Sequence, residues 1–332
     1  MSFAESAPPD AFSGIFAQDL VLRTLRHAVQ NERIASAYLF EGPSGIGKER
    51  VALALAKTVI GEESARRIDE GKHPDVRIFH PRDEGHRNIK VEMLRDEILP
   101  YAEFAPFEAK AAFLIFPEAD VSFPENHPGS ANALLKTLEE PKPGVTFILL
   151  AERPDRLLPT IRSRCQSVRF SRLPVEAIEK LLRDSGVDAD LARSAAALSG
   201  GRADRALQLC EDDAATELLD FAIRIDEATR GTRPGALLDV AEELVKRKNV
   251  GLALEGLSLF YRDLVRIDLG FADEALAFRS EATQMRERAR TTTASQASGR
   301  AGLLRQASEA LEANGNRQVV LDSLMFRLRQ VR

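Results

Sequence analysis

Three continuous apolar segments of strand length mark the first half of the chain. They have the sequences SAYLFEG, AAFLIFPEAD and VTFILLAE and span residues 36–42, 111–120 and 145–152. Uninterrupted apolar runs of this length are typical of strands that are buried on both faces of a parallel sheet. Amphipathic segments such as ERVALALAKTVI and SANALLKTLEE lie between them. The pattern therefore predicts a layered α/β domain over residues 1–172.

After Pro174 the strand-like runs give way to helical patterning. Short segments punctuated by glycines predict a small helical domain over residues 173–212. Apolar positions at helical spacing predict a helical bundle over residues 213–332. The polar segment RTTTASQASGRA, residues 290–301, predicts a loop between two helices of that bundle.

Composition and charge narrow the functional classes. The 332 residues include 46 Lys and Arg against 51 Asp and Glu, so the formal charge of −5 gives no overall field that would attract nucleic acid. Any DNA contact must be local or made through partners. Because no run of 18 apolar residues and no signal peptide pattern occurs, we expect a cytoplasmic protein without a membrane segment. The two cysteines, Cys165 and Cys210, are expected to be reduced thiols.

The segment GPSGIGKER lies between a predicted strand and a predicted helix. Gly42, Gly47 and Lys48 satisfy the phosphate-loop pattern G-x-x-x-x-G-K-[S/T], and Gly45 lies within it. Backbone N–H groups from Gly45 to Lys48 would face an anion at the start of the helix, and Lys48 would reach the outer phosphates. Glu49 stands where a Ser or Thr hydroxyl normally binds Mg²⁺. Two interpretations remain open, a loop that still binds nucleotide and a loop that keeps its shape without a ligand.

The end of the second apolar segment, FLIFPEAD, is where a nucleotide hydrolase carries carboxylates that hold metal and orient water. Pro117 stands at the position of the metal-holding aspartate, and its side chain cannot bind a metal. Glu118 remains where a water-orienting carboxylate would lie, and Asp120 follows. Because Glu49 also replaces a metal ligand, the sequence predicts that this chain does not hydrolyse ATP efficiently.

Six linked segments resemble one family. They occur in the order found in bacterial DNA polymerase III clamp-loader subunits, members of the AAA+ group, and have the sequences SAYLFEGPSGIGKE, HPDVRIFHP, IKVEMLRDE, KAAFLIFPEAD, SANALLKTLEEP and LLPTIRSRCQ. The resemblance covers about residues 12–210. Within the family, HPDV and PEAD, which begin at His73 and Pro117, resemble the delta-prime subunits more than the gamma/tau ATPase subunits. The resemblance implies an AAA+ α/β domain, a small helical lid and a C-terminal helical collar.

The resemblance also implies a role for the SRC motif, which consists of Ser163, Arg164 and Cys165. In a clamp loader each ATP lies at a subunit boundary, and Arg164 would act in trans on the ATP that the neighbouring subunit binds. An arginine suits this role because its planar, permanently charged fork can meet the γ-phosphate oxygens. The implied assembly is a hetero-oligomer with the gamma/tau and delta subunits. Through that assembly the chain would reach the sliding clamp and primed-template DNA.

Other positions depart from the ATPase members of the family. Ala151 and Glu152 stand where threonines commonly sense the γ-phosphate. Arg202 and Arg205 flank the expected place of a second sensor, and we expect both to be exposed helix residues. The four-cysteine zinc knuckle that many relatives carry is absent from the sequence, so no structural zinc is expected.

Two further motifs have ordinary explanations. His73 is followed by Pro74 and Asp75, which predicts a turn before a strand and not a catalytic base. Glu139 and Glu140 are adjacent, so their side chains diverge on a helix, and we expect a solvated pair at the helix end.

Two alternatives to a non-hydrolysing, stator-like subunit remain open. In one, the chain is an active gamma/tau-like ATPase in which Glu49 or Glu118 substitutes as a metal ligand. In the other, it is a structural scaffold that retains the loop and the arginine without using them in ATP hydrolysis. No cofactor is required by the sequence, and any binding of ATP to the altered loop is expected to be weak.

Overall fold

Five parallel strands form the sheet in the first half of the chain. The structure is a computed structural model that describes residues 11–81, 89–125, 128–210, 214–231, 234–247, 249–312 and 315–331. The strands lie in the order β2-β3-β4-β1-β5, and each neighbouring pair is parallel. The predicted parallel α/β class is therefore confirmed. The strands are β1 (Ala37–Glu41), β2 (Val76–Ile78), β3 (Ala112–Phe116), β4 (Val145–Ala151) and β5 (Gln166–Arg169).

Helices pack around this sheet in two hydrophobic cores. Along β1, Tyr38 and Phe40 belong to one core, whereas Ala37 and Leu39 belong to the other. Because successive side chains of a strand point to opposite faces, apolar residues are needed at the first four positions of β1. The helices of this half are α1 (Asp19–Gln30), α2 (Lys48–Ile60), α3 (Ala65–Asp69), α4 (Val91–Met93), α5 (Pro100–Glu103), α6 (Ala119–Ser122), α7 (Pro128–Glu139) and α8 (Pro159–Arg162), with a π-helical turn at Leu94–Ile98.

The central position of β1 places the loop that follows it. Glu41, the last residue of β1, lies opposite Ala151 of β4 and Arg169 of β5. After β1 the chain crosses to β2 at one edge of the sheet and returns through β3 to β4. It then passes to β5 at the opposite edge, so the strand order reverses at β1. In open parallel sheets, ligands bind beyond the carboxyl ends of the strands where the strand order reverses in this way. The segment that begins at Gly42 occupies that place.

The chain divides into two compact units, the first ending at Ala177 and the second beginning at Ile178. In the described part of the second unit the elements are helices, as the sequence predicts, whereas the boundary between lid and collar at residue 212 stays a prediction. None of the described helices has the length and apolar character needed to cross a membrane. The helices are α9 (Val175–Asp184), α10 (Ala189–Leu198), α11 (Ala203–Leu209), α12 (Ala214–Arg230), α13 (Pro234–Lys246), α14 (Val250–Asp268), α15 (Ala282–Ala289), α16 (Ala294–Glu312) and α17 (Arg317–Gln330).

The loop predicted for residues 290–301 is wrong over most of its length. Helix α16 begins at Ala294, so only the first four of those residues connect α15 to α16. The helix buries Ala297 and Arg300, a small residue and a cation, and apolar periodicity detects neither of them.

Candidate functional site

The loop after β1 needs glycine at its first position. Gly42 has φ +148°, and its N–H donates to the carbonyl oxygen of Ala151 at 3.1 Å. A Cβ atom on Gly42 would lie 2.5 Å from the carbonyl oxygen of Phe170, which follows β5. Gly45 and Gly47 also have positive φ, at +70° and +91°. Residues with side chains rarely adopt these conformations, so the backbone of this loop requires the glycines of the sequence pattern.

Lys48 begins α2 and points back into this loop. Its Nζ donates to the carbonyl oxygens of Gly42 at 2.5 Å and Pro43 at 2.6 Å, and the residue is buried. At Gly47, by contrast, an added Cβ would meet nothing within 4 Å. The N–H groups in the first turn of a helix have no partner within that helix. The loop therefore fits a phosphate group, held by backbone N–H groups at the start of α2 and by Lys48.

The donor set beside this loop does not fit the divalent cation of an ATPase. Glu49 is half-buried in the first turn of α2, where a carboxylate interacts favourably with the helix dipole. At the end of β3, Pro117 is buried and supplies no ligand, and Glu118 is exposed with φ +48°. Among the described residues, no group of three or more His, Cys, Asp or Glu side chains is arranged to hold a metal ion. The expectation about zinc stays a prediction.

Asp120 has a structural partner that the sequence did not indicate. Its carboxylate is buried and accepts hydrogen bonds from the backbone N–H groups of Glu152 at 3.3 Å and Arg153 at 3.0 Å. Burial raises the pKa of Asp120, while these hydrogen bonds oppose the rise. Asp120 thus ties the start of α6 to the turn after β4. The sequence signals this structural role only by placing an aspartate just after a buried strand. The same placement is equally typical of a metal ligand.

The two sensor positions have no phosphate-sensing hydroxyl and no exposed second-sensor arginine. Ala151 is buried at the end of β4, and Glu152 is exposed. The expectation that Arg205 is exposed is wrong, because it is buried on α11 and forms an ion pair with Glu255 of α14. The same expectation is wrong for Arg202, which is half-buried, precedes the first residue of α11 and has a guanidinium nitrogen 3.0 Å from a carboxylate oxygen of Asp204.

The SRC motif directly follows the short helix α8. Arg164 donates from Nη1 to the carbonyl oxygen of Thr160 at 2.9 Å and from Nη2 to Oε1 of Glu139 at 2.5 Å. Its side chain keeps 34% of its surface exposed. Ser163 Oγ donates to the same carbonyl of Thr160 at 3.0 Å. Burial raises the pKa of Cys165 to about 12, so its thiol stays protonated at neutral pH and packs as an apolar group.

Glu139 and Glu140 are both exposed at the end of α7, as the sequence predicts, but Glu139 also forms an ion pair that the sequence did not indicate. Glu139 is the last residue of α7, and its carboxylate holds the guanidinium of Arg164. Glu140 is exposed, and no ion pair involving it occurs in the described part of the chain.

The HPDV segment is structural, as the sequence predicts. His73 is buried, its Nδ1 accepts from the N–H of Asp75 at 3.2 Å, and its Nε2 lies 3.2 Å from Oε1 of Glu108. The carboxylate of Asp75 accepts three backbone N–H groups, those of residues 107–109, at 2.5–2.9 Å. The segment therefore fixes the loop that enters β3. A cavity of about 740 Å³ opens beside this loop, and none of the predicted site residues lines it.

The sequence is similar to those of DNA polymerase III subunits. The family model described as "DNA polymerase III, delta subunit" matches residues 17–174. DNA polymerase III subunit delta' of Bacillus subtilis is 28% identical over 94% of this chain and 96% of its own length. DNA polymerase III subunit tau of Escherichia coli is 34% identical over 52% of this chain, a match that spans 27% of tau.

Solved structures also align with most of the chain. A DNA polymerase III gamma subunit-related protein from Thermotoga maritima aligns with 92% of this chain and 99% of that chain, at 17% identity and a TM-score of 0.44. The match to the Bacillus subtilis protein runs nearly end to end in both sequences. The chain is therefore similar in sequence to a DNA polymerase III delta-prime subunit over nearly its whole length, and residues 17–174 match the family model of the delta subunit.

Proposed function

We propose that this chain is a stator-like clamp-loader subunit that does not hydrolyse ATP itself and lends Arg164 to the ATP bound by a neighbouring subunit. Its partners in this proposal are the gamma/tau and delta subunits. The sliding clamp and primed-template DNA are reached through the assembly, which carries out ATP-dependent clamp loading in replication.

The loop retains groups that suit a phosphate but lacks ligands for a metal, which supports the proposal that the chain does not hydrolyse ATP itself. The glycine conformations, the start of α2 and Lys48 suit a phosphate group. Mg²⁺ bridges the phosphates and neutralises developing charge during hydrolysis, and it needs oxygen ligands on the protein. Glu49 and Pro117 replace two of those ligands, and Asp120 is engaged by backbone N–H groups. Phosphate binding without productive metal binding is the chemistry that these residues support.

The observation that carries the proposal is the partly exposed, oriented guanidinium of Arg164. Its two hydrogen bonds, to Thr160 and Glu139, use two of the five N–H groups that a guanidinium carries. The remaining N–H groups can donate to phosphate oxygens of ATP that is bound by another chain. A permanently charged fork held in place before the reaction stabilises charge that develops on the γ-phosphate, because it needs little reorganisation at that moment.

Replacement of Arg164 in the reconstituted clamp loader tests this proposal. We expect Arg164→Ala to lower ATP turnover at the affected boundary by about 10³-fold or more, since trans-acting arginines have effects of this size. Steady-state turnover of the loader would then fall to the share carried by its other sites, and clamp loading would be impaired. Arg66→Ala is the matched control, because Arg66 has a 90% exposed side chain on α3.

The alternatives predict different results in the same experiments. A loader with Arg164→Ala that hydrolyses ATP and loads clamps normally would favour a structural scaffold. Turnover of ATP by the isolated chain, lost on replacement of Glu49 or Glu118, would favour an active gamma/tau-like ATPase.

A further inference from the structure

Glu139 and Arg164 are both attached to rigid parts of the fold. On α7, Leu134 and Leu138 are buried in the same hydrophobic core as Ile161 of α8. Cys165, the residue after Arg164, packs against that core. The backbone on either side of the ion pair is therefore fixed, and only the two side chains can rearrange.

The carboxylate of Glu139 lies at an unfavourable end of its helix. It is the final residue of α7, where the partial negative charge of the helix dipole disfavours an anion. The guanidinium of Arg164, 2.5 Å away, offsets that repulsion. Glu140 provides no such contact among the described residues, although it carries the same group one position later. The pairing is thus specific to Glu139.

We infer that Glu139 is a positioning residue for Arg164 in the trans-acting role proposed above, on which this inference rests. The carbonyl oxygen of Thr160 and the carboxylate of Glu139 bind different Nη atoms, so together they fix the plane of the guanidinium. An arginine side chain otherwise samples many rotamers, and ordering it at the moment of reaction costs free energy. Glu139 orders the side chain beforehand and leaves N–H groups for the phosphate oxygens.

A double-mutant cycle in the reconstituted clamp loader tests the inference. The variants are Glu139→Ala, Arg164→Ala and the double replacement, with Glu140→Ala as the matched control and Glu139→Gln as the conservative variant. We expect Glu139→Ala to lower kcat about 3- to 10-fold with little change in KM, the size expected for losing the prior ordering of one long side chain. Glu139→Gln should restore most of the rate, because its amide oxygen still accepts from Nη2.

The cycle separates this inference from the proposed function. Positioning through Arg164 requires that Glu139→Ala has no further effect once Arg164 is alanine. If Arg164→Ala lowers turnover but Glu139→Ala does not, the positioning role fails while the proposed function stands. If Arg164→Ala has no effect, the proposed function itself fails. A faster loader with Glu139→Ala would mean that the carboxylate competes with phosphate for the arginine, which contradicts positioning. Equal loss in Glu140→Ala, or a matching fall in the thermal unfolding temperature, would indicate a general structural role.

Discussion

Gly42 and Gly47 belong to the same phosphate-loop pattern, yet their surroundings differ. The first is packed against the carbonyl oxygen of Phe170, and the second faces open space. Position in the pattern therefore does not determine the effect of a substitution. The glycine that supports the fold is the one beside β5, whereas the one beside α2 leaves room for a ligand.

We expect Gly42→Ala to destabilise the protein more than Gly47→Ala. The first change adds a clash at 2.5 Å to the strain of a positive φ, and the second adds the strain alone. Backbone strain of this kind costs about 1–3 kcal/mol, so Gly47→Ala should fall in that range and Gly42→Ala should exceed it. Denaturant unfolding monitored by circular dichroism measures both values. Equal losses in the free energy of unfolding would show that Phe170 moves away from the added methyl group at little cost.

Asp120 is expected to stabilise the turn after β4. Asp120→Ala removes the acceptor of two backbone N–H groups, so the free energy of unfolding should fall by about 1–3 kcal/mol. Asp155→Ala is the control, because Asp155 is exposed in the same turn and should change stability little. Chemical denaturation of both variants checks the prediction, which fails if they are equally stable.

At the scale of elements, the apolar runs predict β1, β3 and β4, since each is buried on both faces. The same pattern does not identify β2 and β5. Strand β2 has only three residues, and β5 is an edge strand with three of its four residues exposed. The turn predicted at residues 73–75 does indicate a strand where β2 lies, whereas β5 has no such local signal and depends on pairing with β1.

The residues of the candidate site also divide into those that the sequence identifies and those that it does not. The glycines, Lys48 and Arg164 are identifiable from sequence because their chemistry is local to short motifs. The contacts of Asp120 with Arg153 and of Arg164 with Glu139 join residues 33 and 25 positions apart. A single sequence does not show such pairs, so the role of Glu139 emerges only from the fold.

An ion pair buried among helices of the second unit gives a prediction at this scale. Asp226 of α12 is fully buried, 2.7 Å from Arg300 of α16 and 2.8 Å from Arg230. Asp226→Ala leaves a buried cation without its partner, so we expect a loss of about 3–5 kcal/mol in the free energy of unfolding. Asp220→Ala on the exposed side of α12 is the control. A loss below about 1 kcal/mol would mean that water reaches Arg300.

At the scale of the whole molecule, the sequence match to the Bacillus subtilis delta' subunit covers 94% of the chain and so includes both compact units. The glycine-rich loop after β1 suits a phosphate group, whereas Glu49 and Pro117 stand at two positions where an ATPase holds its cation. In the proposed function, the chain therefore contributes through Arg164 at a boundary with another subunit and not through hydrolysis at its own loop.

Calorimetric titration of the isolated chain with ATP examines the altered site. Since Glu49 and Pro117 remove metal ligands, added Mg²⁺ should not strengthen any binding that occurs. Lys48→Met should weaken binding that occurs without Mg²⁺, because it removes the cation in the loop. Affinity that rises about 10-fold or more with Mg²⁺ would reveal a metal site and favour the active ATPase.

The measurement that most directly tests the central claim is ATP turnover by the reconstituted clamp loader carrying either Lys48→Met or Arg164→Ala in this subunit. Methionine retains the buried aliphatic length of Lys48 but loses its hydrogen bonds to Gly42 and Pro43, so the thermal unfolding temperature of each variant is measured alongside turnover. If the chain acts on a neighbour's ATP, Lys48→Met should leave turnover within about 2-fold of the original, whereas Arg164→Ala should reduce turnover to that of the remaining sites. The opposite pattern, with turnover lost in Lys48→Met and kept in Arg164→Ala, would contradict the account.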